Sequence, residues 1–271
     1  MENPVSIPWV VNEPVLLLQL TDLHLAASET VPVSGVLTDA TLGAVLQALP
    51  SRLHKEPDLV LATGDIADTG HRAAYERFLK HMRRLRSPVY GLPGNHDHAG
   101  TFFKICKGMA PKWIDIAGWR IVLLDSSLPG QDAGRLSKRA LDGLSMALDG
   151  TTGPVLVVVH HHPVPVHSSW LDEFMLMDSA SFFECMAPHP QVQAVLCGHV
   201  HQEHEYWFQR DAKRYKTALP PIQVLASPST AFQFAPRSKE FQLDALGPGF
   251  RWMLLHPNGR LETGVEYLNK I

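Results

Sequence analysis

Seven of the chain's 15 histidines fall in four short segments: His24, His96, His160-His161-His162 and His199-Val200-His201. Carboxylate and carboxamide side chains accompany them, in the order Asp22-Leu23-His24, Gly64-Asp65, Gly94-Asn95-His96-Asp97, His160-His161-His162-Pro163 and Gly198-His199-Val200-His201. The donors are oxygen and imidazole nitrogen without thiolate, a set suited to manganese, iron or zinc rather than to magnesium or a Cys-rich structural zinc site. A catalytic zinc takes three protein ligands and leaves one place for water; here about seven candidates gather, enough for two ions sharing one carboxylate. Two cations about 3.5–4 Å apart bridge a water, lower its pKa towards neutrality and clamp phosphoryl oxygens, permitting in-line attack on phosphorus without a protein nucleophile or covalent intermediate. Singly each motif is weak, since an Asp following a strand commonly caps the next helix. Their order together is specific.

The elements that must position these residues follow one pattern in the N-terminal half: an apolar run, a polar segment, then helical spacing. Val15-Leu-Leu-Leu-Gln-Leu ends at Thr21-Asp22, Asp58-Leu-Val-Leu-Ala at Thr63-Gly64-Asp65, and Val89-Tyr-Gly-Leu at Pro93-Gly94-Asn95. Helical patterns over 39–49 and 71–85 return the chain, so these strands are expected to be parallel with crossover helices. The runs 113–117 and 120–124 flank Gly118 as an antiparallel pair, a helix is expected over 137–148, and the run 154–159 stops at His160. A long loop is expected over 162–177, then a strand to Cys197, and short strands with little helix thereafter (204–208, 222–226, 252–255). Each candidate donor thus stands just after an apolar run, and in parallel sheets the carboxyl ends of strands share the edge where a crevice forms.

Length and composition set the frame. A chain of 271 residues, 45% hydrophobic and 19% charged, can bury one large α/β core, and we read a single domain over 1–271. No apolar run reaches the roughly 18–20 residues of a membrane span. Residues 1–11 carry Glu2 and no basic residue before a short apolar stretch, the wrong pattern for a secretory signal, so a cytoplasmic location is expected. Three cysteines without paired spacing (Cys106, Cys185, Cys197) are expected to be reduced. A net charge of −3 offers no basic field for nucleic acid. His54, His71, His81 and His189 read as solvated, His204 as lying on a strand face, and Cys197 as core.

Over about residues 15–205 the chain resembles the calcineurin-like metallophosphoesterases, whose pattern D-x-H, G-D, G-N-H-[DE], H, G-H-x-H is matched by Asp22-His24, Gly64-Asp65, Gly94-Asn95-His96-Asp97, His160 and Gly198-His199-Val200-His201. The resemblance implies a four-layer α-β-β-α sandwich of mixed sheets with a metal site at strand carboxyl ends. It implies one ion on Asp22, His24 and His201, a second on Asn95, His160 and His199, and Asp65 between them; the cofactors would be two divalent or transition ions, Mn2+, Fe2+/Fe3+ or Zn2+. Three consecutive histidines offer three candidates for one position; the resemblance selects His160, directly after the strand, with His161 second. His96 resembles the histidine that stabilises the transition state and protonates the departing alkoxide, contacting substrate together with Asn95. Asp68 resembles the aspartate that orients this histidine by a hydrogen bond.

Three further stretches resemble bacterial 3',5'-cyclic AMP phosphodiesterases of the CpdA/Icc type: His160-His161-His162-Pro163-Val164-Pro165, Ser169-Trp170-Leu171-Asp172 and the segment 227–234. Ser227 and Ala231 depart from the Thr and Cys of those enzymes, which bears on fine substrate preference. The implied reaction opens the cyclic phosphate to 5'-AMP by attack of a metal-bridging hydroxide, the 3'-oxygen leaving. Loop 163–178 and segment 204–250 are candidate substrate or oligomer elements, homodimers being frequent among relatives. Trp170 or Phe232 stacks on the base, or both pack the core or a subunit contact. Other readings are a broader phosphodiesterase acting on 2',3'-cyclic nucleotides or other small phosphodiesters, and a non-catalytic metal-binding scaffold.

Overall fold

The computed structural model describes residues 1–10, 12–211 and 219–270. In chain order the elements are β1 (Val5–Ile7), β2 (Val15–Leu20), α1 (Thr38–Leu53), β3 (Leu59–Thr63), α2 (Arg72–Met82) and β4 (Val89–Leu92). Next come α3 (Ala99–Ile105), β5 (Trp113–Ile116), β6 (Trp119–Leu124), α4 (Lys138–Asp149), β7 (Val155–Val159) and α5 (Ser179–Met186). The chain closes with β8 (Val192–Cys197), β9 (His204–Phe208), β10 (Ile222–Ala226), β11 (Gly249–Leu255) and β12 (Leu261–Tyr267).

Alternation within the apolar runs decides the layers, because successive side chains of a strand point to opposite faces. In β2, Val15 and Leu17 pack with Leu59 and Leu61 of β3 against Ile121, Leu123, Leu156 and Val158 of the other sheet. Leu18 and Leu20 face the opposite way, onto Leu42, Val45 and Leu49 of α1 and Ala74 and Phe78 of α2. In β7 the same rule sends Leu156 and Val158 inward while Val155, Val157 and Val159 meet Leu144 and Leu148 of α4 and Phe182 and Met186 of α5. Two sheets buried on both faces require continuous apolar strands, which is why these runs lack polar alternation. The result is helix, sheet, sheet, helix, as the family resemblance implied.

One sheet has five strands in the order β12-β11-β2-β3-β4; the other has seven, β1-β5-β6-β7-β8-β10-β9. β2, β3 and β4 run parallel, as do β6, β7, β8 and β10, and β1 runs parallel to β5; β11, β12 and β9 pair antiparallel with their neighbours, and β5 pairs antiparallel with β6. A buried polar chain registers one sheet on the other. Gln19 of β2 donates to Thr63 Oγ1 (2.7 Å) and to the Cys197 carbonyl (3.2 Å) and accepts from Ser227 Oγ. Ser227 accepts in turn from Arg251 Nε at 2.8 Å, and Arg251 also donates to the Ala226 carbonyl and Thr263 Oγ1. Each polar group in this dry interior needs such a partner, since an unmatched one costs several kcal/mol by transfer estimates. Ser227 therefore keeps the hydroxyl that a Thr would supply.

Several expected boundaries shift. α1 continues through Pro50 to Leu53, because Leu53 packs on the same core as Leu49. The short β1, α3 and α5, and the seven-residue β12, whose run of intermediate burial lacks an apolar face, are not read from sequence; α5 follows the 162–177 loop, which itself contains a 3-10 turn, Asp172–Phe174. Residues 212–218 of the 204–250 segment lie outside the described residues. Among the described residues no helix is long and apolar enough to cross a membrane.

Candidate metal centre

The carboxyl ends of β2, β3 and β4 in one sheet and of β7 and β8 in the other open onto the same cavity, so the site straddles two sheets rather than one edge. The parallel ladder runs on past the strands: Asp22 N donates to the Gly64 carbonyl (3.0 Å), His24 N to the Asp65 carbonyl (2.8 Å) and Gly198 N to the His160 carbonyl (3.0 Å). Each loop then turns sharply. Asp22, His24, Asp65, His199 and His201 all have positive φ, between 45° and 69°. Left-handed backbone is uncommon for residues with a Cβ and clusters at functional sites. At Gly94, a Cβ would collide with the Asp65 carboxylate and main chain, so only glycine lets the β4 loop approach the β3 loop this closely.

The sequence-derived donors converge, all but Asn95 buried. Asp22, His24 and His201 offer atoms within 4.8 Å of one another, as do Asp22, Asp65 and His160. Asn95 Oδ1 lies 3.1 Å from His160 Nε2 and 3.0 Å from His199 Nδ1. Asp65 Oδ2 stands between the two halves, 3.4 Å from His160 Nε2 and 3.7 Å from His24 Nε2. Its other oxygen accepts from His96 N at 2.9 Å.

The imidazole tautomers are set from outside. His160 Nδ1 donates to the Thr63 carbonyl (2.8 Å), His201 Nδ1 to the Phe232 carbonyl (2.8 Å) and His24 Nδ1 to Asp68 Oδ1 (3.2 Å). In a neutral ring this leaves Nε2 as a lone pair, and the Nε2 atoms of His24 and His201 face each other at 3.1 Å. Facing lone pairs beside buried carboxylates repel unless a cation or proton lies among them, and the outer N–H bond is the usual support of a metal-binding histidine. The electrostatics agree. Burial would raise the pKa of Asp22 and Asp65, but the surrounding histidines outweigh it and hold both below the carboxylate range, Asp65 well below. Burial lowers His24 and His199. Burial acts likewise on His160, yet Asp65, Asp22 and the Thr63 carbonyl push it up to about 9, so without a metal a proton there supplies the missing positive charge. The donor set fits cations.

His161 belongs to a donor group with His160 and His199, yet both its nitrogens are taken. Nδ1 accepts from Ser126 Oγ (2.7 Å) and Nε2 donates to the Asp132 carbonyl (3.1 Å). His162 stacks on the His199 ring, 5.4 Å apart and 21° from parallel.

One expected contact is corrected. The Asp68 carboxylate was expected to orient His96; instead it binds His24, and its Oδ1 is 3.9 Å from His96 Nδ1. His96 Nδ1 donates to the main-chain carbonyl of Asp68 at 2.9 Å. The turn at Asp68-Thr69, ahead of α2, presents that carbonyl to His96, a placement that side-chain identity does not encode. Asp97 has a part that the motif alone did not reveal: its carboxylate accepts from Gly94 N, Ile66 N, Ala67 N and Tyr75 Oη at 2.9–3.1 Å, clamping the Asp65 loop to the Asn95 loop. Burial and Asp65 nonetheless push it up to about 6. His81, read as solvated, meets Asp39 at 3.1 Å.

Over the cluster lies a cavity of about 300 Å3 whose lining includes His96, Asp132, Trp170, Phe232, Phe234 and Phe241. Phe232 is only 7% exposed, its ring packed against His24 and His201 at 5.3 and 5.1 Å. Segment 227–234 acts on the site mainly through its main chain and hydroxyls: Ser229 Oγ donates to the Asp22 carbonyl (2.7 Å), Thr230 N to the Thr21 carbonyl (2.9 Å), and the Phe232 carbonyl fixes His201.

Paired mixed sheets with a His, Asp and Asn cluster at their joined carboxyl ends define a phosphoesterase architecture, and the chain belongs to the calcineurin-like phosphoesterase family, whose sequence pattern matches residues 15–203. Family membership implies divalent metal ions. More particularly, over 260 residues the chain is 40% identical to the 3',5'-cyclic adenosine monophosphate phosphodiesterase CpdA of Pseudomonas aeruginosa, a match covering 95% of this chain and 91% of that one. The protein of the same name from Escherichia coli (strain K12) is 36% identical over 274 residues, covering 99% of this chain and 95% of the relative. Among solved structures, purple acid phosphatase PPD1 from yellow lupin (Lupinus luteus) seeds is similar with a TM-score of 0.68 at 13% identity, covering 94% of this chain and 52% of that one. At that identity the likeness is one of fold.

Proposed function

We propose that this phosphoesterase hydrolyses 3',5'-cyclic AMP to 5'-AMP at a dinuclear centre, with Asp22, His24 and His201 holding one ion, Asn95, His160 and His199 the other, and Asp65 between them. The observation that carries the dinuclear reading is the convergence of these seven donors with Nδ1 of His24, His160 and His201 tied off outside the site. The substrate reading is supported by 36–40% identity, over nearly the whole chain, to relatives named as 3',5'-cyclic AMP phosphodiesterases. Manganese, iron and zinc all suit the donor set.

When bound, such ions supply a water deprotonated near neutral pH and positive charge against the phosphoryl oxygens. The chain's own residues do the remaining work. His96 lines the cavity, and with Nδ1 spent on the Asp68 carbonyl its Nε2 is the nitrogen left for substrate. Burial opposes a proton there, but Asp65 and Asp68 outweigh it and raise the pKa, so His96 is suited to stabilise charge on phosphorus and to protonate the departing 3'-oxygen. Asn95 holds its Oδ1 at the cluster and lines the same cavity as His96. Asp68 is a positioning residue, acting through His24 and His96.

The test is turnover of protein reconstituted in turn with Mn2+, Fe2+ and Zn2+ on 3',5'-cyclic AMP, 2',3'-cyclic AMP and bis(4-nitrophenyl) phosphate. Highest kcat/KM on the 3',5' isomer is expected. Hydrolysis of the aryl diester with none of 3',5'-cyclic AMP removes the substrate assignment; inertness towards all three with metal bound removes the reaction.

A further inference from the structure

The cavity has an aromatic wall for which the hydrolytic chemistry has no use. Phe234 stacks face to face on His201, with centroids 3.9 Å apart and planes 9° from parallel. Trp170 meets Phe234 edge-on at 5.1 Å, and Phe241 meets Phe234 and Trp170 edge-on, each at 5.5 Å. The wall therefore starts on a candidate metal ligand and ends at solvent, where the Phe241 ring is 57% exposed.

Main-chain bonds hold it in place. Phe234 bridges Leu243 antiparallel, Ala235 N donates to the Gln242 carbonyl (2.7 Å) and Asp244 N to the Gln233 carbonyl (2.9 Å), so Phe241 rides on a paired arm. Ser169 N donates to the Ser238 carbonyl at 3.1 Å, tying the loop that carries Trp170 to that arm. Trp170 Nε1 is buried without a hydrogen-bond partner among the described residues. That donor is closed to the cavity as well, so it is the open Phe241 face, a large aromatic surface in water, that forgoes the gain of burial. A planar ligand laid on that face answers the need. Phe232 cannot offer a face, since His24 and His201 already flank it.

We propose that Trp170 and Phe241 form a ledge that selects phosphodiesters bearing a nucleobase-sized aromatic group, with Phe241 presenting the open stacking face. The inference rests on the phosphodiesterase reading above and adds which part of the substrate is recognised, and by what. Base-on-aromatic stacking is sequence-tolerant and needs only a π-face, so the ledge favours aromatic over aliphatic esters more than one base over another.

The experiment is calorimetric titration of the metal-loaded protein with 5'-AMP and, separately, inorganic phosphate, which shares the phosphoryl group and lacks the ring. Binding needs no turnover, so the result stands apart from whether cyclic AMP is hydrolysed. Wild type should prefer 5'-AMP, Phe241→Ala should lose about five- to tenfold of that preference, and Phe241→Tyr should retain it. Equal weakening of both ligands in Phe241→Ala, no weakening of either, or a change of sedimentation state that accounts for the loss and makes Phe241 a contact between copies overturns the ledge.

Discussion

Asp68 divides its work between two histidines: its carboxylate meets His24 Nδ1 at 3.2 Å, while its main-chain carbonyl meets His96 Nδ1 at 2.9 Å. Asparagine keeps the carbonyl and loses the anionic acceptor. Asp68→Asn should therefore lower metal affinity, by about 10–100-fold as for other outer partners of metal-bound histidines, while reducing kcat at saturating metal less than His96→Ala does. His96→Ala should cut kcat on the order of 10²–10³-fold with both ions retained. Metal content per chain by mass spectrometry, set beside kcat, decides it: ions lost from His96→Ala would place His96 inside the ligand set. The family resemblance pointed to Asp68, but which of its atoms meets which ring depends on the turn leading into α2.

At the scale of elements, α1 and α2 are cross-tied by a half-buried carboxylate. Asp39 Oδ1 lies 3.1 Å from both Arg77 Nε and His81 Nε2. Burial would raise the pKa of Asp39, but His81 and Arg77 outweigh it and hold it below its ordinary value of 3.8. A depressed folded-state pKa means that the contribution is complete above the unfolded value and disappears as pH falls through the folded one. Asp39→Asn should lose about 1–3 kcal/mol at pH 7, and urea denaturation should show the gap to wild type closing below pH 3.8. A gap of constant size down to the acid limit would mean that the charge is not what ties the helices. Both helices were legible from their spacing over 39–49 and 71–85; the partnership of His81 was not, because a helix face in isolation carries no record of what packs on it.

For the whole molecule, the seven donors come from β2, β3 and β4 on one side and β7 and β8 on the other, so ions held among them cross-link the two sheets. Asp22 and Asp65 sit ionised in the same dry space, which favours the cation-loaded fold over the unfolded chain. Chelation should lower the thermal midpoint by about 5–10 °C, with recovery on adding Mn2+. An unmoved midpoint in scanning calorimetry, with metal shown to be removed, would mean that the cluster gains nothing from occupancy.

By itself the sequence determined the order of α1, α2, α4 and the strands from β2 to β11, the apolar faces and the place of each donor just beyond a strand, because these are local properties: side-chain period, glycine at sharp turns, an acidic or imidazole group at a fixed offset. It also determined the donor chemistry, oxygen and nitrogen without sulfur. Only the tertiary structure decided that the donors straddle two sheets and that His161 is occupied by Ser126 and Asp132 while His160 faces Asn95. It alone turned Phe232 onto the histidines and left Phe241 facing the cavity. Those outcomes depend on main-chain carbonyls and on contacts between residues remote in sequence, which have no signature in the identity or spacing of any one side chain.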